Sequence, residues 1–341
     1  MTRTRLLAPR LLPALLILTQ SASAAGRAED EPPRTRTFAV TCRATVREIP
    51  EGARVLDLWL PVPRDDDHQT IHRLTIDAPA PVTLGRAPGS GNRMLHVRLD
   101  RPRGEVDVTL TIVATRSENA GRDEPLDAEG RGRYLAPEPL VPLDGPIRRL
   151  ADEATEGLEG DFERARALYE AVVGTMTYDK SGTGWGRGDA LYACDERRGN
   201  CTDFHALLIG MARSVGIPAR FAIGLALPGE GGAGEIAGYH CWAELYVEGR
   251  GWVPVDASEA AKDPSRREYF FGHHDEDRLE FSRGRHLTLE PPQQGPPLNF
   301  FVDPYAEIDG VPHAAIARRA TFEDLEGVEG PSAPAPGGDR R

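Results

Sequence analysis

The stretch that decides the fold reads GNCTDFHALLIGMARSVGIP, residues 199–218. From Cys201 to Val215, apolar residues recur at three- and four-residue spacing, which predicts an amphipathic helix that ends at Gly216 and Pro218. A glycine-containing loop precedes the helix, so Cys201 lies in the first helical turn. The helix dipole and the free N–H groups of that turn favour a thiolate and could hold an oxyanion.

A thiolate that attacks carbonyl groups also needs a base, and the base needs an acceptor that orients it. Residues 239–256 alternate as two strands of a hairpin, with His240 on one face of the first strand. If Val247 faces Gly251 across the hairpin loop, Asp256 lies diagonal to His240 on that same face. The hairpin can therefore supply both the base and its acceptor.

Four blocks of sequence occur in a characteristic order and spacing: GNCTDF at 199–204, GIPAR at 216–220, YHCWAE at 239–244 and GWVPVD at 251–256. Over roughly residues 147–290 they resemble the transglutaminase-like superfamily. The resemblance implies a papain-like core, with Cys201 as nucleophile, His240 as general base and acid, and Asp256 as the group that orients the imidazole.

Other residues near these blocks are further candidates for the site, and some of them have a purely structural alternative. Tyr178 and Trp185 are candidates for a second oxyanion donor. His205, one helical turn after Cys201, is a candidate substrate or oxyanion contact, with a packed, hydrogen-bonded histidine as the alternative. Cys194 and Cys241 could form a disulfide in an oxidising compartment, and the alternative is two reduced, buried thiols.

The chain divides into an antiparallel β-sandwich-like domain at 37–118 and a transglutaminase-like catalytic domain with a C-terminal extension at 146–326, which makes the predicted fold class α+β. Within the first domain, strands are predicted at 37–47, 55–62, 94–99 and 106–115 from β-branched runs and alternation. Segments 25–36 and 119–145 are predicted linkers. The Pro-, Gly- and Ser-rich segment 327–341 is a predicted disordered tail.

The first 24 residues have the three parts of a secretory signal. Three arginines precede the apolar run Leu11–Leu18, and small residues up to Ala24 provide a cleavage site. We therefore expect an exported protein, periplasmic or secreted. No later segment reaches membrane-spanning length, so no stable membrane insertion is expected.

Composition narrows the function further. Acidic residues outnumber basic ones, 53 to 41, for a net charge of −12, so nucleic acid is not expected as a partner. No H-E-x-x-H or Walker motif occurs, and no cofactor or metal is expected; a zinc site of Cys201, His205 and His240 would lack the usual ligand spacing. The expected function is cleavage or transfer of peptide or protein amides, and the alternative is a catalytically silent binding or scaffold module.

Overall fold

The structure is a computed structural model that describes residues 32–326. Its strands are β1 (Thr35–Val46), β2 (Val55–Val62), β3 (Gln69–Asp77), β4 (Val82–Arg86), β5 (Arg93–Asp100), β6 (Val106–Ser117), β7 (Thr177–Tyr178), β8 (Arg198–Gly199), β9 (Ala219–Ala226), β10 (Ala233–Glu235), β11 (Tyr239–Val247), β12 (Gly251–Val255), β13 (Arg278–Arg283), β14 (Tyr305–Ile308), β15 (Val311–His313) and β16 (Ile316–Asp324). Its helices are α1 (Ala128–Leu135), α2 (Gly145–Ala154), α3 (Asp161–Thr175), α4 (Ala190–Glu196), α5 (Cys201–Ser214) and α6 (Ala257–Lys262), followed by a 3₁₀ turn at Pro264–Arg266.

Two five-stranded antiparallel sheets, β10-β16-β1-β6-β3 and β15-β14-β2-β5-β4, contain the strands of the N-terminal region. Alternate side chains of β1 and β6 are buried, and they share one hydrophobic core with β2 and β5. The four strands predicted in this region are all present, whereas β3 and β4 are additional. β4 is exposed along most of its length, and Val82 and Leu84 alone give too short an alternation to predict a strand.

The last strands of the chain pair with the first ones. β16 runs antiparallel to β1 with Val40 opposite Phe322, and β14 pairs with β2. These strands lie in the segment assigned above to the C-terminal extension of the catalytic domain, yet they complete the two N-terminal sheets. Only Phe322 is buried in β16, so its pattern does not reveal which sheet it joins. The segment predicted as a linker at 119–145 contains α1, which buries no residue.

A third antiparallel sheet, β12-β11-β9-β13, forms the centre of the predicted catalytic domain. Helix α5 packs against β11 and β9, and every residue from Cys201 to Arg213 is buried. The other helices of this region, α2, α3, α4 and α6, surround α5. Within residues 32–326, no helix is both long and apolar enough to cross a membrane. The predicted signal segment and the predicted tail lie outside the described residues.

The register of the hairpin agrees with the sequence prediction. Val247 faces Gly251 and Ala243 faces Val255. Asp256 directly follows β12, so the register carries it to the position opposite Trp242, next to His240. The catalytic sheet therefore brings His240 and Asp256 together at one end, where α5 begins.

Candidate active site

The start of α5 is held by a capping box. The Asn200 side chain accepts a hydrogen bond from the Thr202 N–H at 3.0 Å, and the Asp203 carboxylate accepts one from the Asn200 N–H at 3.0 Å. Asp203 also accepts bonds from the N–H groups of Gly186 (2.7 Å) and Gly188 (3.0 Å). The same carboxylate thus connects the glycine-rich loop, residues 181–188, to the helix and holds Cys201 at the first helical position.

Gly199 allows this close approach. Its φ is +152°, and a Cβ at this position would lie 2.4 Å from Asp203 Oδ2. We expect Gly199→Ala to displace Asp203 and the first turn of α5, and with them Cys201. A displacement of about 1 Å at a reacting group can lower a rate by about 10²-fold, so the rate of Cys201 alkylation by iodoacetamide should fall by about that factor.

Gly132→Ala is the matched control for this variant, because a Cβ at Gly132 meets no atom within 4 Å. Its alkylation rate should equal that of the wild type. An unchanged rate in Gly199→Ala would mean that the capping box does not position the thiol.

Cys201, His240 and Asp256 come together as a buried constellation. His240 Nε2 lies 2.7 Å from Asp256 Oδ2, which leaves Nδ1 as the ring nitrogen available to a reacting group. Hydrogen bonds from Cys241 and His240 hold the pKa of Cys201 well below its ordinary value, although burial opposes the shift. Burial lowers the pKa of His240, but the Asp256 carboxylate outweighs that effect and raises the pKa to about 10.

Asp256 is itself tightly held. It is fully buried and caps the N-terminus of α6, where Oδ1 accepts the Glu259 N–H and the Ser258 hydroxyl, both at 3.0 Å. Arg278 Nη1 donates to Oδ2 at 3.2 Å. Burial would raise the pKa of Asp256, but the charge and hydrogen bond of His240, together with the charges of His205 and Arg278, outweigh burial and hold the pKa well below its usual range.

Sequence reasoning missed Arg278. The side chain is 2% exposed, binds Asp275 as well as Asp256, and stacks on the Trp242 ring with 4.9 Å to the centroid. A lone arginine in a strand gives no local signal of such a role. Its position follows from the pairing of β13 with β9, which crosses about fifty residues of chain.

His205 is packed inside the protein and hydrogen-bonded on both ring nitrogens. It is 0% exposed, and its ring lies between the Cys201 carbonyl oxygen (2.8 Å from Nδ1) and the Ala257 N–H (3.2 Å from Nε2). Burial lowers its pKa, which keeps the imidazole neutral. The reason is its helix position: one turn below Cys201, the side chain points into the interface between α5 and α6.

Tyr178 and Trp185 are both partly buried. Burial and the charge of Cys201 raise the pKa of Tyr178, so its phenol is a neutral donor close to the thiol. The Lys262 ammonium lies 4.0 Å from the centre of the Tyr178 ring. Trp185 lies in the glycine-rich loop directly before Gly186, which is bound to Asp203. Either residue can therefore line the approach to Cys201.

The structure has no disulfide between Cys194 and Cys241 and contains the reduced thiols of the alternative reading. All four cysteines are free thiols, and each lies within residues 32–326. Cys194 is partly exposed on α4, whereas the Cys241 sulfur is buried and lies 3.5 Å from His205 Nδ1. The Cys241 thiol thus packs against α5 one helical turn after Cys201, away from Cys194.

A buried ion pair holds the strand that bears His240. Glu244 on β11 is opposite Arg220 on β9 and is hydrogen-bonded to it, while Arg220 stacks on Trp252 at 4.0 Å. Burial would raise the pKa of Glu244, but the charges of Arg220 and Arg283 and the hydrogen bond from Arg220 together outweigh burial, and the pKa lies below its usual range. The pair therefore joins two strands of the catalytic sheet beneath the site.

We expect Glu244→Gln to lower the free energy of unfolding by about 3–5 kcal/mol at neutral pH, because Arg220 would remain buried without its counter-charge. The lowered folded pKa means that the ion pair stabilises the protein above the unfolded pKa of about 4.3 and that this contribution is lost as the pH falls below it. Urea denaturation at several pH values measures both effects.

Asp152→Asn provides the comparison, since Asp152 pairs with Arg148 at side-chain exposures of 53% and 52%. Such an exposed pair contributes about 0.5 kcal/mol or less. If Glu244→Gln changed stability no more than Asp152→Asn, or if its effect were the same at every pH, the ion pair of Glu244 and Arg220 would not stabilise the fold through its charges.

No metal cluster is formed by the described part of the chain: residues 32–326 contain no group of three or more His, Cys, Asp or Glu side chains that could hold a metal ion. The zinc alternative built on Cys201, His205 and His240 gains no support, because His205 donates to a backbone carbonyl and His240 is bound to Asp256.

Known proteins resemble this chain in sequence and in fold. The sequence model of the transglutaminase-like superfamily matches residues 148–257. An uncharacterized protein of Haemophilus influenzae is 25% identical over 309 residues, which cover 77% of this chain and 84% of the relative. The uncharacterized protein YebA of Bacillus subtilis is 25% identical over 135 residues, which are 35% of this chain and 18% of that protein.

Among solved structures, a protein of Cytophaga hutchinsonii described as a proposed cysteine protease superposes with a TM-score of 0.57. The alignment covers 87% of this chain and 93% of the other, at 15% sequence identity. At that identity the likeness concerns the fold. The matched family segment contains α5, the His240 strand and Asp256, so it coincides with the constellation described above.

Proposed function

We propose that the protein is a cysteine-dependent enzyme that cleaves or transfers amide bonds. The proposal starts from residues 148–257, by which the chain belongs to the transglutaminase-like superfamily. One observation carries the proposal. Helix α5, which begins with Cys201, packs against β11, which bears His240, and His240 Nε2 lies 2.7 Å from Asp256 Oδ2. This is the arrangement of nucleophile, base and orienting acceptor that thiol acyl transfer requires.

The charge state of the pair supports nucleophilic attack. With the pKa of Cys201 well below its ordinary value and that of His240 raised to about 10, the pair at neutral pH is a thiolate beside an imidazolium. The thiolate is the reactive form of cysteine. Asp256 stabilises the imidazolium and determines that Nε2 carries the proton directed at the carboxylate.

In the proposed reaction, the Cys201 thiolate attacks the amide carbonyl carbon and forms a tetrahedral oxyanion. The Cys201 N–H, which the first helical turn leaves without an intrahelical partner, donates to this oxyanion, and Tyr178 or Trp185 is the second donor. The His240 Nδ1–H protonates the departing nitrogen as the C–N bond breaks. A thioester remains on Cys201, and His240 is then neutral.

The second half of the reaction regenerates the enzyme. Neutral His240 takes a proton from water, the resulting hydroxide attacks the thioester, and the carboxylic acid leaves as the C–S bond breaks. An amine in place of water gives a new amide instead. We propose hydrolysis as the main outcome, because the resemblance to bacterial members of the superfamily favours a peptidase or amidase over a cross-linking enzyme.

We also propose that the protein acts outside the cytoplasm, on peptide or protein amides. The support is the signal-like composition of residues 1–24. Edman sequencing of the protein secreted or exported from its source, with an N-terminus at Ala25, is the direct check on this point.

Mass spectrometry of peptide libraries tests the reaction class. Purified enzyme is incubated with the library, with and without an added primary amine. Cleaved peptides or a mass gain of one unit at glutamine indicate hydrolysis, whereas amine adducts indicate transfer. A library unchanged by the wild type, together with equal and slow labelling of wild type and His240→Ala by a thiol-reactive probe, would contradict the proposal and favour the silent scaffold.

A further inference from the structure

A cavity of about 160 Å³ lies between the N-terminal sheets and the catalytic sheet. Leu60 of β2, Leu110 of β6 and Ala320 of β16 line one side of it, and Leu225 of β9 and Phe281 of β13 line the other. The leucine and phenylalanine side chains of this wall are all buried, and Leu225 is the most exposed of them at 7%. The reaction proposed above does not use this cavity.

One reason for the cavity is a small side chain that faces the core on β16. Ala320 and Phe322 lie two residues apart and therefore on the same face of the strand. Phe322 is 4% exposed and fills the core at its position, whereas the methyl group of Ala320 leaves the cavity open. In another protein, an apolar cavity of about 150 Å³ holds one benzene molecule. The cavity of this protein can therefore hold one branched or aromatic side chain.

The charged residues around the cavity each have an oppositely charged partner. The pairs are Arg319 with Glu235, Arg318 with Asp303, and Arg43 with Asp107. A charged group that entered the cavity would lose its hydration without gaining a free counter-charge, which is unfavourable. The cavity is therefore suited to an uncharged, apolar group.

Tyr239 connects the cavity to the candidate active site. It lines the cavity, lies opposite Leu225 and directly precedes His240 on β11. Its hydroxyl accepts a hydrogen bond from Asn200 Nδ2 at 3.0 Å, and Asn200 directly precedes Cys201. One wall of the cavity thus contacts the chain neighbours of both reacting side chains. Since an extended peptide advances about 3.3 Å per residue, a substrate side chain a few residues from the reacting amide can enter the cavity.

We propose that this cavity binds one uncharged, apolar side chain of the substrate, of the size of leucine or phenylalanine, a few residues from the amide that Cys201 attacks. The inference rests on the proposed function in taking peptide amides as the substrate. It gives the N-terminal sheets, which contain none of the three candidate catalytic residues, a part in substrate selection.

The probes are acetylated, amidated alanine hexapeptides with one glutamine at the third position, so that either a backbone amide or the glutamine side chain can react. A single leucine, phenylalanine or lysine replaces alanine at each other position in turn. At one position, kcat/KM of the wild type should be about tenfold or more higher for leucine than for alanine, because the larger side chain is removed from water. Lysine at that position should give no such gain.

Ala320→Phe places a phenyl ring in the cavity and should reduce the ratio of kcat/KM for leucine over alanine to about one. The loss should appear as a higher KM for the leucine peptide, because the contact is made equally in the ground state and the transition state. Ala320→Leu fills less of the cavity and should reduce the ratio part of the way. The matched control is Ala317→Phe, since Ala317 is also partly buried on β16 but does not line the cavity, and it should keep the wild-type ratio.

Binding of the same peptides, labelled with fluorescein, to the Cys201→Ala protein tests the cavity without chemistry, by fluorescence anisotropy. Tighter binding of the leucine peptide there, lost in the double variant with Ala320→Phe, supports the cavity even if the wild type turns over no peptide, and only the proposed function then fails. Turnover without a preference for leucine or phenylalanine at any position overturns this inference alone. So does a wild-type ratio in Ala320→Phe, or an equal loss in Ala317→Phe.

Discussion

Replacing Cys201 with alanine is expected to reduce amide turnover by a factor on the order of 10⁶, as loss of the nucleophile does in a serine triad. The thiolate forms the bond that all later steps depend on, and neither His240 nor Asp256 can substitute for it. Cys201 is buried at the start of α5, but loss of a single sulfur atom leaves only a small cavity. The melting temperature should therefore change by no more than a few degrees, by calorimetry.

Cys42→Ala is the control for this variant, since it removes a largely buried thiol from β1, whose pKa burial raises to about 12. That thiol is unreactive at neutral pH, and its removal should leave turnover within about twofold of the wild type. Turnover retained in Cys201→Ala would remove Cys201 from the mechanism.

Asp256→Asn is expected to lower the rate by a factor on the order of 10²–10⁴, by analogy with the acid of a serine triad. The asparagine oxygen can still accept the Glu259 N–H and cap α6, so the backbone should stay in place. Its NH₂ group would meet the protonated Nε2 of His240, which favours the wrong tautomer. Without the carboxylate, the pKa of His240 should also fall from about 10, and the pH–rate profile should shift accordingly.

The stability of this variant should depend on pH in a defined direction. The pKa of Asp256 is lowered in the folded protein, so the carboxylate stabilises the fold above its unfolded pKa of about 3.9, and this contribution disappears as the pH falls below that value. The difference in unfolding free energy between the wild type and Asp256→Asn should therefore shrink in acid. Urea denaturation from neutral to acidic pH measures it.

Asp275→Asn separates the contribution of the Arg278 contacts to stability from the effect of Asp256 on His240. Asp275 binds the same guanidinium, at 2.9 and 3.0 Å, but does not contact His240. We expect this variant to lose stability while its rate falls by less than about tenfold. If Asp256→Asn lowered the rate by less than about threefold, or no more than Asp275→Asn did, Asp256 would not be the residue that orients the imidazole.

The sequence by itself determined the features that local rules control. The apolar spacing after Cys201 and the Gly216–Pro218 end predicted α5 within one residue, because helical periodicity and termination depend on neighbours in the chain. The hairpin register predicted that Asp256 reaches the His240 side of the sheet, because strand alternation and loop length determine register over a few residues. The family resemblance identified the three candidate catalytic residues from the same blocks.

Only the tertiary structure decided which distant residues complete the site. Arg278 reaches Asp256 through strand pairing, His205 is enclosed between two helices, and the Cys241 thiol lies against His205 rather than Cys194. Likewise, β16 joins β1 although nearly three hundred residues separate them. The physical reason is common to all four. Periodicity and capping depend on contacts within a few residues of the chain. The four contacts named here depend on how sheets and helices pack together, and no local sequence pattern indicates that packing.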